Sequence, residues 1–476
     1  MRQFLAFSCA AVVSACSTAP TISGAPANIV DVDTTDGASD VTNVEVSPLA
    51  LTPAFSSSID DYYVRCAAGE NALDVTVTDA AGPVTTSVSV NEGDAIVVAG
   101  TYWIRCLPHD FPVIGVTPHP DVGVATPGYY LVNSYQTHAV VLDTNGVPVW
   151  YGNGTSVGNV DALQPNVVSF VPAGTGPYGY SGTEDFEIHD LASGSVRDLF
   201  AVGSPTDEHE LRLLPNGDYL LFTFPIESNV DLTGLGTFTS AETVANCVVQ
   251  EIDTNGALVW SWSAADHVDA TKESLEPAVN TVDGASVVDP FHCNSIEVDA
   301  SGNLLVSMRH TNALYYVDRS TGVVQWKLGG TAYTKDGGQL ITVANDPEGT
   351  FSMQHDARFQ PNGDVSMFDD HGAPDATGVA RGVEYAIDFG AGTASVVFQS
   401  LGIAPSQYMG SFRRFADGHS VIGWGNVPGD TRVVTEVDAT GASVLDITFT
   451  GGPSYRAVKV PTTQLDIDVM RHSVTY

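Results

Sequence analysis

The chain has 476 residues, enough for roughly two or three domains, and carries 56 acidic against 18 basic side chains, a formal net charge of −38 at pH 7. A chain this acidic has no basic footprint for nucleic acid and no attraction to anionic membrane surfaces, so DNA, RNA and peripheral lipid are excluded as partners, apart from any covalent anchor. Hydrophobic residues at 43% and charged residues at only 16% exclude a disordered acidic tail, while 46 Gly and 26 Pro without long helical patterns point to a turn-rich, all-β protein.

Met1-Arg2 precedes a short apolar run from Gln3 to Val13, followed by Val13-Ser14-Ala15-Cys16. The run is too short to span a bilayer permanently. Small residues ahead of a Cys resemble the lipobox of bacterial lipoproteins. Residues 1–15 are therefore expected to be a lipoprotein signal peptide, with Cys16 as the lipid-bearing N-terminus after cleavage. An ordinary secretory signal with an incidental Cys is the simpler alternative. Both predict export; the lipidated form is expected in the periplasm or at the cell surface, held at the outer membrane and touching a membrane only through its anchor. Residues 16–45, rich in Ser, Thr, Ala, Gly and Asp, read as a flexible linker. Export changes how the remaining cysteines read. Cys66, Cys106, Cys247 and Cys293 are an even set in an oxidising compartment, which suggests two disulfides. Of the three pairings, Cys66–Cys106 with Cys247–Cys293 keeps each bridge inside one expected domain. No CxxC spacing exists to suggest a zinc cluster or a redox motif.

Residues 46–112 hold short period-two runs, among them Leu73 to Val77 and Tyr102 to Cys106, and predict a small β-sandwich. Residues 113–476 repeat one unit: an apolar strand ending in Asp, a tight turn with Gly, then another apolar strand. The Asp positions are Asp143, Asp190, Asp253, Asp318, Asp388 and Asp438. A second hairpin recurs at Gly217, Gly302, Gly363 and Gly418. Two hairpins per unit make a four-stranded blade, and six units predict a six-bladed β-propeller; a meander or solenoid is the alternative.

Aligning the second hairpins brings three histidines into one register. His209 lies eight residues before Gly217, His355 eight before Gly363, and His292 ten before Gly302. The fourth such unit has Gly410 at that place. If each His opens the innermost strand of its blade, the three imidazoles meet at a central channel. Arg309 sits on the return strand of the His292 unit. Adjacent strand residues face opposite sides, so Arg309 is expected to face the channel and His310 to face away. Three His suggest a metal, but a nearby guanidinium repels a divalent cation, so no metal is expected. The donors instead suit a tetrahedral oxyanion, with a neutral His as nucleophile and no cofactor. No G-x-x-x-x-G-K-[ST] run supports a nucleotide cradle.

At these residues the chain resembles the bacterial arylsulfotransferases, which transfer sulfuryl groups without a nucleotide sulfate donor. The matching stretches are Glu208-His209-Glu210-Leu211 to Leu221, His292-Cys293-Asn294-Ser295 with Ser307-Met308-Arg309-His310, Gln325 to Gly330, Gln354-His355-Asp356-Ala357-Arg358 to Phe368-Asp369-Asp370, Ser454-Tyr455-Arg456-Ala457, and in the front domain Tyr63-Val64-Arg65-Cys66 and Cys106-Leu107-Pro108, within about residues 45 to 460. The resemblance implies a six-bladed propeller and ping-pong transfer from an aryl sulfate donor to a phenolic acceptor through a sulfated histidine. It implies His355 as nucleophile, with His209, His292 and Arg309 binding the sulfuryl group and one His protonating the leaving phenolate. Asn294 and Tyr455 are candidate substrate-binding residues. Cys293 beside His292 departs from the family pattern. A non-catalytic propeller lipoprotein binding proteins or glycans, and a quinone- or metal-dependent oxidoreductase, are the competing readings; the former leaves the aligned histidines unexplained.

Overall fold

The computed structural model describes residues 27–32, 41–134, 137–173, 185–374 and 376–474. The expected signal peptide and Cys16 lie outside the described residues. The described chain is nearly all β; helix is confined to short segments such as Ala264–His267, Ala270–Glu273 and Ile467–His472. None of its helices is long and apolar enough to cross a membrane.

Two small sheets come first. One runs Ile29–Val32, Ala95–Val98, Tyr102–Leu107, Asp61–Arg65; the other runs Asn43–Ser47, Glu70–Asp79, Gly82–Asn91. Along Glu70–Asp79, Leu73, Val75 and Val77 are buried while Asp74 points out. These apolar faces share one core with Val44, Val64, Ile96 and Ile104, which is the half-buried alternation that the sequence pattern demands. A disulfide joins Cys66 to Cys106, at the ends of two neighbouring parallel strands. The linker expected over 16–45 needs correction. Ile29–Val32 is a strand paired in parallel with Ala95–Val98, and Asn43–Ser47 begins inside the same stretch. Val32 enters the core, but four residues of Ile-Val-Asp-Val show too little periodicity to stand out among Ser, Thr and Gly.

Six four-stranded arrays follow. The second is Gly158–Gln164, Val167–Val171, Phe186–Asp190, Ser195–Leu199. The third is Thr206–Leu213, Tyr219–Thr223, Val248–Ile252, Leu258–Ser263. The fourth is Cys293–Val298, Leu304–Met308, Ala313–Val317, Val324–Gly329. The fifth is His355–Phe359, Val365–Asp369, Arg381–Asp388, Thr393–Leu401; Gln339–Val343 pairs in parallel with the outer strands of both and joins them into one nine-stranded sheet. The sixth is Ser411–Arg414, Ser420–Gly423, Arg432–Val437, Ser443–Phe449, with Ile114–Pro118 added at its edge. The first draws its leading strand, Ala457–Val460, from late in the chain and continues Tyr129–Ser134, His138–Leu142, Pro148–Asn153. Leading strands of successive arrays are neighbours, and Ala457–Val460 neighbours both Ser411–Arg414 and Gly158–Gln164.

The six Asp turns each join the third strand of an array to its fourth. The carboxylate accepts backbone N–H bonds across the turn, as Asp143 does from Asn145 and Val147, and Asp253 from Asn255 and Ala257. Gly146 and Gly256 close these turns at φ 75° and 83°, a region that disfavours side chains. One insertion stands apart. Ile226–Val230 and Glu242–Ala245, inserted between the second and third strands of the third array, form an extra sheet with Ala285–Asp289 and Ala278–Val282, which follow that array.

Candidate active site

The three histidines stand near the starts of three leading strands: His209 is the fourth residue of Thr206–Leu213, His292 immediately precedes Cys293–Val298, and His355 opens His355–Phe359. Side chains distant in sequence therefore come together. The rings of His209 and His292 lie 4.9 Å apart, centroid to centroid. His355 is close enough to His209, His292 and Arg309 for their charges to lower its pKa.

Each of the three carries a carboxylate on Nδ1. Asp207 lies 2.9 Å from His209, Asp289 2.7 Å from His292, and Asp370 2.6 Å from His355. This is the arrangement that fixes a ring's tautomer and orientation and sends Nε2 outward. None of the three carboxylates figured as a site residue in the sequence, although Asp207 and Asp289 stand two and three residues ahead of their histidines. Asp289 does more: its Oδ1 accepts from the backbone N–H of Phe291 and His292, at 3.2 and 2.9 Å. Those bonds hold His292 at φ 50°, a left-handed conformation that costs a non-glycine residue about 1–2 kcal/mol. The next residue, Cys293, is tied to Cys247.

The expectation for Arg309 and His310 needs correction. The return strand ends at Met308, and Arg309–Thr311 forms a turn of 3₁₀ helix. Alternation no longer applies, and the two side chains meet. Nη1 of Arg309 lies 3.1 Å from Nε2 of His310, whose ring stacks on His292 at 4.7 Å. Nη2 of Arg309 donates to the carbonyl of Gln407 at 2.7 Å, while Nε is buried without a protein partner.

Asn294 and Tyr455 both lie in the interior behind the histidines. Asn294 Nδ2 donates to the carbonyl of Gln354 at 2.7 Å, fastening the residue ahead of His355. The Tyr455 hydroxyl donates to the carbonyl of His209 at 3.1 Å, with its ring edge-on to that imidazole. Their donor groups thus brace the two histidines. Phe224, unmarked in the sequence, packs its ring 6.2 Å from those of His209 and His292.

One to three residues further along the leading strands, a buried ionic network forms a floor. Arg358 bonds Glu210 and Asp356, both at 2.6 Å; Arg456 bonds Glu210 at 2.9 Å; Arg413 bonds Asp356 at 2.6 Å. Burial opposes ionisation of Glu210, but Arg358 and Arg456 outweigh it and hold its pKa down at about 2.

The electrostatics divide the histidines. Burial, then Arg309, His209 and His292, push His355 well below the ordinary imidazole range. Burial, His209 and Arg309 do the same to His292, and burial lowers His310 to about 3. Burial also works against a charged His209, but Asp207 overcomes it and the net shift is upward. Burial drives Asp370 well above the usual carboxylate range against the pull of Arg309. The charged form is thus favoured at His209 and disfavoured at His292, His310 and His355, beside a fixed guanidinium. Asp289, His292 and His310 also bring potential metal-ligand atoms within 4.8 Å of one another. Asp289 already holds both rings, His292 through its carboxylate and His310 through its carbonyl, and a divalent ion there would face the guanidinium docked on His310.

No curated protein matches the chain. Solved structures with some likeness include a protein of unknown function from Bacteroides caccae (13% identity, covering 70% of this chain and 99% of that one, TM-score 0.42). Others are a putative 6-phosphogluconolactonase from Bacteroides fragilis (11% identity, 72% and 100%, TM-score 0.36) and virginiamycin B lyase from Staphylococcus aureus (7% identity, 71% and 99%, TM-score 0.31). The family comparison is direct: residues 186–450 match Arylsulfotransferase (ASST). That span is more than half of the chain and contains every histidine gathered here together with Arg309, and the chain accordingly belongs to the arylsulfotransferase family of sulfotransferase enzymes.

Proposed function

We propose that this protein is an arylsulfate sulfotransferase that moves a sulfuryl group from an aryl sulfate to a phenol through a sulfohistidine at His355. The observation that carries this reading is the meeting of three carboxylate-held histidines and Arg309 in one cluster. A nucleophilic imidazole must be neutral, an acid must hold a proton, and the anion needs fixed donors. His355, His209 and Arg309 meet those three requirements within one cluster.

In the first half-reaction, Nε2 of His355 attacks sulfur. An N–S bond forms, the S–O bond to the aryl group breaks, and its electron pair goes to the phenolate oxygen, which takes a proton from His209. The ionised form of Asp370, which Arg309 favours against burial, balances on Nδ1 the positive charge of the sulfated ring. Arg309 and His292 bind the sulfuryl oxygens; sulfuryl transfer, like phosphoryl transfer, is promoted chiefly by positioning and charge stabilisation. In the second half-reaction the phenol gives its proton to His209 while its oxygen takes the sulfuryl group, and the N–S pair returns to His355. This chemistry uses protein side chains alone.

The six arrays and the return of their leading strands to the start support a six-bladed propeller, with residues 113–476 as the catalytic domain and the histidines at one end of its channel. The two small sheets, counted now from residue 27, support a sandwich domain ahead of it. The two disulfides fit an exported protein, and we infer lipid anchoring through Cys16. The test is turnover of a chromogenic aryl sulfate with excess phenol. Product release by the wild type and none by His355→Ala is expected; no turnover with any phenolic acceptor would overturn the reading.

A further inference from the structure

His310 has no part in the chemistry above, yet it sits in the cluster with both ring nitrogens engaged. Arginine has donors and no acceptor, so at the 3.1 Å contact with Arg309 Nη1 the Nε2 of His310 must supply the lone pair. Its proton must then be on Nδ1. That atom lies 2.8 Å from the carbonyl oxygen of Asp289, which can only accept. Both ends of the ring therefore demand the same tautomer. The ring is also locked in place. It is buried, stacks on His292 at 4.7 Å, and its residue's carbonyl accepts from the backbone N–H of Leu275 and Glu276 at 2.8 and 3.0 Å.

The consequence falls on Arg309. Its side chain leaves a short 3₁₀ turn, where no strand neighbour sets its direction. His310 takes Nη1 and the Gln407 carbonyl takes Nη2, which fixes the guanidinium plane and leaves Nε–H as a buried donor with no protein partner. Arg309 is thus presented rather than merely present. Asp289 ties the arrangement together, since its carboxylate sets His292 and its carbonyl sets His310.

We propose that His310, held as the Nδ1–H tautomer between the Asp289 carbonyl and Arg309 Nη1, is a positioning residue that aims the Arg309 guanidinium at the sulfuryl group. The proposal rests on the transferase reading for its effect on rate, but its geometry stands apart from that reading. His310→Phe keeps a flat ring and removes the acceptor. It is expected to lower kcat about 100-fold, the cost of one misdirected oxyanion donor, with KM changed less than about threefold. His310→Gln places an amide oxygen near the lost Nε2 and is expected to recover to within about tenfold of wild type. In an Arg309→Met background, His310→Phe is expected to cost almost nothing further. A wild-type kcat in His310→Phe, no rescue by Gln, or an undiminished loss in the Arg309→Met background would each overturn the proposal. The second readout does not need catalysis. Nitrogen-15 NMR of the histidine-labelled wild-type protein at pH 7 is expected to show His310 protonated on Nδ1 alone. A proton on Nε2 overturns the proposal even if every variant is inactive or unfolded. Conversely, a wild type that turns over no aryl sulfate but shows the Nδ1–H tautomer defeats the transferase reading and leaves the His310–Arg309 pair standing.

Discussion

The Nδ1 atom of His355 lies 2.6 Å from Oδ2 of Asp370, and both side chains are closed off from solvent. This contact decides which nitrogen attacks. With Nδ1 donating to the carboxylate, the lone pair is on Nε2. Asp370→Asn would present an amide N–H to Nδ1, move the ring proton to Nε2 and remove the nucleophile. The expected loss in kcat is on the order of 10³- to 10⁴-fold with the fold intact, measured by steady-state kinetics and circular dichroism. A loss below tenfold would mean the pair does not set the tautomer.

His209 is the one histidine of the cluster pushed upward, and it is the expected acid. Its protonated form is present below its raised pKa and disappears as pH rises through that value. The wild-type kcat/KM for a poor leaving group is therefore expected to fall on the alkaline side. His209→Gln should lose that limb of the profile. It should slow sulfation of His355 by unactivated aryl sulfates about 100-fold while scarcely affecting a nitrophenyl ester, whose phenolate needs no proton. An equal loss for both esters would remove His209 from the acid role.

The disulfide from Cys247 to Cys293 spans 46 residues and ends beside His292. Replacing both cysteines by Ala should cost about 4 kcal/mol on the chain-entropy account, read by denaturant unfolding. Because His292 occupies a left-handed conformation next to the bridge, kcat should also drop while the enzyme is still folded. Full activity in the folded double variant would show that Asp289 alone holds His292.

The ionic floor predicts a stability effect separate from chemistry. Arg456→Met leaves Glu210 with Arg358 as its one bonded cation and should destabilise the protein by about 3–5 kcal/mol. Denaturant midpoints of wild type and variant check this.

The repeat was legible because its signal is local. Six Asp residues cap six hairpins, and each turn closes on a glycine a few residues later. The leading hairpins were visible in only four arrays, for two physical reasons. In the second array the turn uses Asn166 at φ 57° in place of glycine, and in the first the leading strand comes from Ala457–Val460, hundreds of residues away. The histidines could be lined up because their spacing is measured from the same turns, although His292 stands ten residues ahead of its glycine and the other two eight. What failed was extrapolation of a regular strand past its end. Alternation sent His310 away from Arg309, whereas the backbone has already turned at Met308. The orienting carboxylates escaped because a lone Asp carries no pattern until the fold places it against a ring. Asn294 and Tyr455 were found by motif, but their contacts could be read only from the packing.

The most direct measurement is peptide mass spectrometry of enzyme quenched with an aryl sulfate in the absence of acceptor. The expected result is a gain of about 80 Da on the peptide containing His355, lost again when a phenol is added. An adduct on His209 or His292, or no adduct while product is still formed, would contradict the covalent route through His355.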